Sequence, residues 1–343
     1  MEAPRQASIR DVARAAGVSH QTVSRVINGH PGVRPSTRDG VLASIRELGF
    51  RPNQAARALA RGHASAVTVL TSNTTRYGYV QILAGIEEAA RQAGYAVGVR
   101  VLDSSDPAGV QAAVEQVCQP GLGSVVVIAF DMAGLLALQA VPPSVPLAAV
   151  VEASHGERTD VPCVWPDDGR AANLATRFLL ELGHRTVHYV AIPSSTGVSD
   201  RMDGWRTALE EAGAPLPEPV PAGWTPEQGY QAGQRLAADS EVTAVLCGND
   251  DLALGVLRAL RDAGRQVPDD VSIVGFDDIP QAAFYSPSLT TVRLDFVSLG
   301  RDCFRLLVRE RGEGTAPASP GVTAPALIVR DSSGPPPGRR LVT

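Results

Sequence analysis

The sequence predicts an α/β protein in two parts: a small N-terminal domain of three short helices, then a large core of parallel sheets divided into two subdomains. Three observations carry this. Helical apolar spacing with capping signals recurs three times before residue 50. From about Ala64, apolar strands alternate with amphipathic helices, the pattern of parallel sheets covered on both faces. That alternation yields about ten strands, more than one ordinary sheet of about 4–6 holds, so two subdomains are expected.

The first helix runs from about Ile9 to Ala16. Ser8 can cap it, with Asp11 three residues on in a capping-box pattern, and Gly17 ends it. Ser19 caps a second helix, which ends at Asn28-Gly29. Pro35 opens a third as an N1 proline, and "LGF" closes it near Gly49. Gly40 inside that helix costs up to ~1 kcal/mol. Helix, a Gly-containing turn "AAGV", then helix is the helix-turn-helix arrangement, in which the second helix enters the major groove of DNA. In "VSHQTVSRVINGH" the residues Val18, Val23, Val26 and Ile27 face a core, while His20, Gln21, Ser24 and Arg25 face outward.

Charge agrees. Residues 1–62 hold ten Arg against four Asp or Glu, while the rest holds 21 Arg against 32 acids. A basic segment on an acidic body means that only the first part meets a polyanion. The segment "RPNQAARALARG", 51–62, has one isolated Leu59 and no apolar stripe to bury. Alone it is too short to hold as a helix in water and reads as a linker that orders against a partner.

The core's strands are "AVTVLTS", "YAVGVRVLDS", "GSVVVIAF", "PLAAVVE", "TVHYVAIPSS", "AVLCGNDD" and "VSIVGFDD", with helical segments such as "YVQILAGIEEAARQAG" and "LALGVLRALRDAG" between them. In open α/β sheets, ligands bind beyond the carboxyl ends of the strands. Those ends are polar here: Ser72-Asn73, Pro193-Ser194-Ser195, Gly248-Asn249-Asp250 and Phe276-Asp277-Asp278.

Several chemistries are missing. No phosphate-binding glycine loop and no G-x-S-x-G elbow is present. The four cysteines, Cys118, Cys163, Cys247 and Cys303, form no C-x-x-C pair, and His184 and His188 sit at a helix end and in a strand. No catalytic residue, metal or cofactor is expected. No apolar run is long enough to cross a bilayer, and "MEAPRQASIR" has no apolar signal core, so a cytoplasmic protein with no membrane partner is expected.

With these motifs in hand, "SIRDVARAAGVSHQTVSRVING", "RPNQAARALARG", "GNDDLALG", "VSIVGFDDIP" and "SLTTVRLDF" together resemble the LacI family of bacterial transcription regulators, from about Ser8 to Asp331. The resemblance implies an operator-binding domain at 1–50 and a hinge helix at 51–62. It also implies an effector-binding and dimerisation core at 63–332, similar to periplasmic sugar-binding proteins. The N-subdomain falls at about 64–163 and 296–322, the C-subdomain at about 164–293 and 324–331. Residues 333–343 are expected to be a disordered tail. A rival, a transported-sugar receptor, conflicts with the basic helix-turn-helix.

By the resemblance, His20, Gln21 and Arg25 contact bases, while Ser19, Thr22, Ser24 and Asn28 serve phosphates or capping. Leu59 matches the hinge leucine that wedges between base pairs in the minor groove. His20 departs from a tyrosine at that place. On the effector side the resemblance points to Arg201, Trp224, Asn249 and Asp277, with Ser72, Asn73 and Phe296 on the N-subdomain side. Asp250 and Asp278 are expected to hold loops. Leu294 stands where galactoside-binding members carry a polar residue. The expected function is a repressor acting as a homodimer on near-palindromic double-stranded operator DNA, controlled by a small-molecule effector, a sugar. The tail "GPPPGRRLVT" has no leucine heptads, so no tetramer-forming coiled coil is expected. A nucleobase-corepressed regulator and a sugar-modifying enzyme are the alternatives.

Overall fold

In the computed structural model, residues 7–27, 30, 32–50, 66–119, 123–152, 160–194, 199–312 and 324–338 are described. Asn28, Leu59 and the hinge expected at 51–62 lie outside the described residues. The chain divides into two units, Met1–Ala64 and Ser65–Thr343.

The first unit contains α1 (Ile9–Ala15), α2 (His20–Ile27) and α3 (Pro35–Glu47). The capping box forms: Asp11 N donates to Ser8 Oγ at 3.4 Å, and Ser8 N donates to the Asp11 carboxylate at 2.9 Å. Gly17 turns the chain with φ 64°, a conformation cheap only for glycine. Each helix gives a fully buried valine to a common core, Val12, Val23 and Val41.

The second unit builds two sheets. The first joins β1 (Ala66–Thr71), β2 (Ala96–Val101), β3 (Ser124–Ala129), β4 (Leu147–Val151) and β5 (Cys163–Val164) in the order β2-β1-β3-β4-β5. Helices α4 (Tyr77–Gln92), α5 (Pro107–Val117) and α6 (Met132–Ala140) connect them. The second sheet joins β6 (His188–Ala191), β7 (Val220–Pro221), β8 (Ala244–Cys247), β9 (Ser272–Phe276), β10 (Thr290–Arg293) and β11 (Ala326–Ile328) in the order β11-β10-β9-β8-β6-β7. Its helices are α7 (Asp168–Glu181), α8 (Asp200–Glu211), α9 (Pro226–Ala237) and α10 (Asp250–Asp262). Every pairing is parallel except β10 with β11.

Alternation along the strands sorts side chains to two faces. Val126 and Ile128 of β3 join one apolar cluster, while Val125, Val127 and Ala129 join another against α5 and α6. In β8, Ala244 and Leu246 share the first cluster, and Val245 and Cys247 pack with α9 and α10. After β10 the chain returns to the first sheet as α11 (Phe296–Glu310), which packs on α4. Gly85 and Gly300 permit that approach, since a Cβ on either would run into backbone of the facing helix.

One expectation is corrected. Residues 333–338 are not a disordered tail: His184 Nε2 and Ser272 Oγ meet the Gly334 carbonyl at 3.0 and 2.8 Å, and Gly334 N donates to Ser272 Oγ at 2.9 Å. The sequence shows no apolar anchor there because the anchor is backbone. Residues 339–343 lie outside the described residues. Among the described residues, no helix is long and apolar enough to cross a membrane.

Candidate functional site

On α2, burial of Val23 and Val26 fixes which face turns outward. Ser19, His20, Gln21 and Arg25 are exposed, and Thr22 and Ser24 are half-buried. Ser19 caps the helix, accepting from Thr22 N at 3.2 Å, and its hydroxyl meets that of Thr22 at 2.9 Å. His20 and Gln21 therefore share the exposed first turn of a short, capped helix, and Arg25 stands exposed in its last turn. That is the geometry for side chains that reach base edges in the major groove.

The second unit holds a cleft of about 710 Å³, lined from both sheets. The two strand orders explain its place. In each sheet the order of strand addition reverses between the first and third strands, β1/β3 and β6/β8, which run parallel, and the segments leaving the carboxyl ends there face the cleft.

Arg201 is its best-held side chain. It lies in the first turn of α8, capped by Ser199. Its side chain is 8% exposed, and it ion-pairs with Asp168 Oδ2 at 3.3 Å and Asp277 Oδ1 at 3.4 Å. It also donates to the Gly248 carbonyl. Its Cζ lies over the Phe276 ring, 3.9 Å from the ring centroid. Burial works against its charge, but Asp168 and Asp277 more than offset this and raise its pKa. The acids bear the burial cost: it pushes Asp168 up, and Asp277 up to about 7, with Arg201 pulling each part of the way back.

Asp277 sits on strained backbone, with φ 106°, and Asp278 follows at φ 51°. Such conformations cost about 1–3 kcal/mol and persist only where the surroundings enforce them. The enforcing contacts are visible. Asp277 N donates to Val292 O at 2.8 Å, and Asp278 is clamped by Arg293 and Arg330 at 2.6 and 2.7 Å. Asp250 holds the neighbouring loop, accepting from Thr291 Oγ1 at 2.6 Å and Ile279 N at 2.8 Å. Asp250 and Asp278 thus hold loops, as the sequence reading expects.

Asn249 caps α10 through Leu252 N at 2.7 Å and donates to Trp224 O at 3.2 Å, leaving one amide hydrogen for another partner. Trp224 is half-buried and lines the cleft, with Arg76 stacked on it 4.1 Å from the ring centroid. Phe296 lines the opposite side, edge-on to Tyr77 at 6.4 Å.

Ser72 and Asn73 are not brought to the wall. Ser72 donates to Asp131, and Asn73 Oδ1 accepts from Thr75 N at 2.8 Å and Arg76 N at 2.7 Å, shaping the turn that presents Arg76. The strand end is right, but the turn carries the wall position a few residues on. Sequence reasoning missed Arg76, Glu152 and Asp168. Glu152 follows β4 directly, so the strand-end rule that singled out Asn249 and Asp277 also points to it. Asp168 reads in sequence only as an acid at a helix start. Leu294, buried at 7% exposure, belongs to the apolar cluster and not to the wall.

Comparison with known proteins decides the family. The profile of bacterial regulatory proteins of the lacI family matches residues 8–53, and that of a periplasmic binding protein-like domain matches residues 176–333. Catabolite control protein A of Priestia megaterium is 33% identical, over 91% of this chain and 95% of its own. This chain belongs to the lacI family of bacterial regulatory proteins. The HTH-type transcriptional repressor PurR of Haemophilus influenzae (strain PittEE) is 32% identical, over 95% of this chain and 98% of its own. Among solved structures, a lac repressor dimer bound to operator and the anti-inducer ONPF superposes with TM-score 0.82 at 29% identity. That match covers 96% of this chain and 100% of the other. The lacI-family chain is thus a DNA-binding transcriptional regulator and not an enzyme.

Proposed function

We propose that this regulator is a sequence-specific repressor whose operator affinity is set by a small carbohydrate bound in the cleft. The observation that carries the reading is Arg201, buried between Asp168 and Asp277 beside Asn249, in a cleft walled by Trp224, Phe296 and Tyr77. Charged forks, carboxylates and an amide exchange hydrogen bonds with vicinal hydroxyls. Aromatic faces cover the C–H face of a sugar ring. Arg201, Asn249, Asp277, Trp224 and Phe296 are assigned to the effector on this basis, and Asp168 to holding Arg201.

On the DNA side, His20, Gln21 and Arg25 read bases, while Ser19, Thr22, Ser24 and Asn28 set the backbone register. Leu59 takes the minor-groove wedge. The regulator works as a homodimer on a near-palindrome. Effector binding alters operator affinity through different sugar affinity in two core states, which is all that allostery requires.

Operator binding measured across titrations with sugars and with purines tests the reading. Release by a sugar supports it. Tightening by a purine, with no response to any sugar, replaces it with nucleobase corepression. Insensitivity of operator binding to Leu59→Ala would remove the wedge assignment.

A further inference from the structure

One contact ties the two sheets of the core together across the cleft. Arg76 belongs to the turn between β1 and α4, on the first sheet, and Trp224 to the segment between β7 and α9, on the second. Both line the cleft, and the Arg76 guanidinium carbon lies over the Trp224 ring, 4.1 Å from its centroid. A cation over an aromatic face is attracted by it, and Trp is the strongest of the aromatic partners.

Each end of this contact is braced from within its own sheet. On the first side, Asn73 Oδ1 accepts from Thr75 N and Arg76 N, and Thr71 Oγ1 donates to Asn73 O at 3.0 Å, so the turn is tied to the last residue of β1. On the second side, Trp224 N donates to Gln228 Oε1 at 2.8 Å, beside the capping box of α9, and Trp224 O accepts from Asn249 Nδ2 at 3.2 Å. The Trp224 side chain also packs on the apolar cluster of β8, α9 and α10. An arginine fixed at its root and a ring fixed at its backbone lose less freedom on meeting than two loose side chains, so more of the attraction is left to act between the sheets.

We propose that Arg76 and Trp224 form a latch between the two subdomains, which holds the core in its operator-binding state and which the effector opens. This rests on the reading of Trp224 as a wall of the effector site. A ring face that carries a guanidinium is not open to a ligand at the same time, so latch and effector exclude each other. Asn249 links the two events, because the amide that braces the Trp224 carbonyl is the one with a hydrogen left for the effector. A contact made in one core state and broken in the other biases the balance by its own strength. Its loss therefore weakens operator binding even when no effector is present. Asn73 acts through Arg76, as a positioning residue.

The experiment measures the affinity of the purified full-length protein for an operator selected from random DNA, with no sugar added. Arg76→Gln is expected to weaken binding about fivefold, the size of one cation–π contact at a half-buried site. Arg76→Lys keeps the cation and is expected to stay within about twofold of wild type. In a Trp224→Leu background, Arg76→Gln is expected to add less than about twofold, because the pair acts as one unit. Asn73→Ala is expected to fall between wild type and Arg76→Gln. Unchanged operator affinity in Arg76→Gln, or full multiplication of the Arg76 and Trp224 effects, overturns the latch and leaves the carbohydrate reading standing. Should Trp224→Leu fail to fold by urea unfolding, Arg76→Lys decides: a loss as large as that of Arg76→Gln overturns the latch. Tighter operator binding by Arg76→Gln places the contact in the released state and overturns the proposal as well. Failure of the carbohydrate reading is seen separately, in the sugar and purine titrations of the wild type.

Discussion

On α2, His20, Gln21 and Arg25 stand exposed on a helix held by its buried valines and the Ser19 cap. In the cleft, Arg201 and Asp277 are buried, paired and stacked, and the backbone at Asp277 is strained into place. On the proposed reading, the first region meets its ligand with exposed side chains outside the helix's apolar core, and the second with side chains that are also part of the fold. Substitutions should therefore separate binding from stability on α2 and entangle the two in the cleft.

The largest effect is expected at Arg201. Arg201→Leu leaves Asp168 and Asp277 buried together without a counter-charge, which costs about 3–5 kcal/mol when one partner of a buried pair is removed. Urea unfolding should show this loss above pH 7 and a smaller one at pH 5, where the acids take up protons. The variant should still bind operator under folding conditions, and no sugar should release it. Release at the wild-type sugar concentration would break the contrast, because Arg201 would then serve the fold alone.

Gln21→Ala should behave oppositely. Operator discrimination should fall by about 1–3 kcal/mol if a bidentate base contact is lost. The melting temperature of the core and its sugar affinity should not move. A selection from random DNA that returns the wild-type preference with the variant would remove Gln21 from the readout.

Glu152→Gln probes the cleft's charge. Burial, then Asp200 and Asp168, push Glu152 up to about 7, with Arg201 pulling against them. The folded protein therefore keeps a proton that the unfolded chain gives up near pH 4.5. Stability from this group is full below that pH and is lost as pH rises through about 7. The variant carries no such penalty, so it should melt roughly 2–4 °C higher than wild type at pH 8, with little difference at pH 5. An equal difference at both pH values would show that the carboxyl's charge is not what matters.

The smallest effect belongs to Ser19→Ala. The cap accepts from Thr22 N on an exposed helix end, so about 0.5 kcal/mol of helix-turn-helix stability is expected to go, the low end for such caps. Base preference should be unchanged. Altered preference would assign Ser19 to readout rather than to capping.

The first three helices were legible because their signals are local. Ser8 with Asp11, Gly17 and Pro35 act within a few residues, and the apolar spacing of Val18, Val23, Val26 and Ile27 identifies the buried face of the second helix directly. The alternation of strands and helices likewise foretold two parallel sheets. Strand ends pointed to Asn249 and Asp277 because a parallel sheet gathers its carboxyl ends on one edge. The same rule pointed to Ser72 and Asn73 and was wrong about the wall by a few residues, since the turn after β1 decides which side chain faces inward.

Thus the sequence by itself determined where the first three helices start, the outward face of the second, the layered core and the strand edge that borders the cleft, because each follows from periodicity or caps along the chain. Only the tertiary structure decided that Asp168 and Asp277 flank Arg201, that Arg76 lies on Trp224, and that Gly334 is fastened to His184 and Ser272. These pairs join residues 33 to 150 positions apart in the chain. No local signal announces them, and their strength comes from the dry surroundings that folding creates.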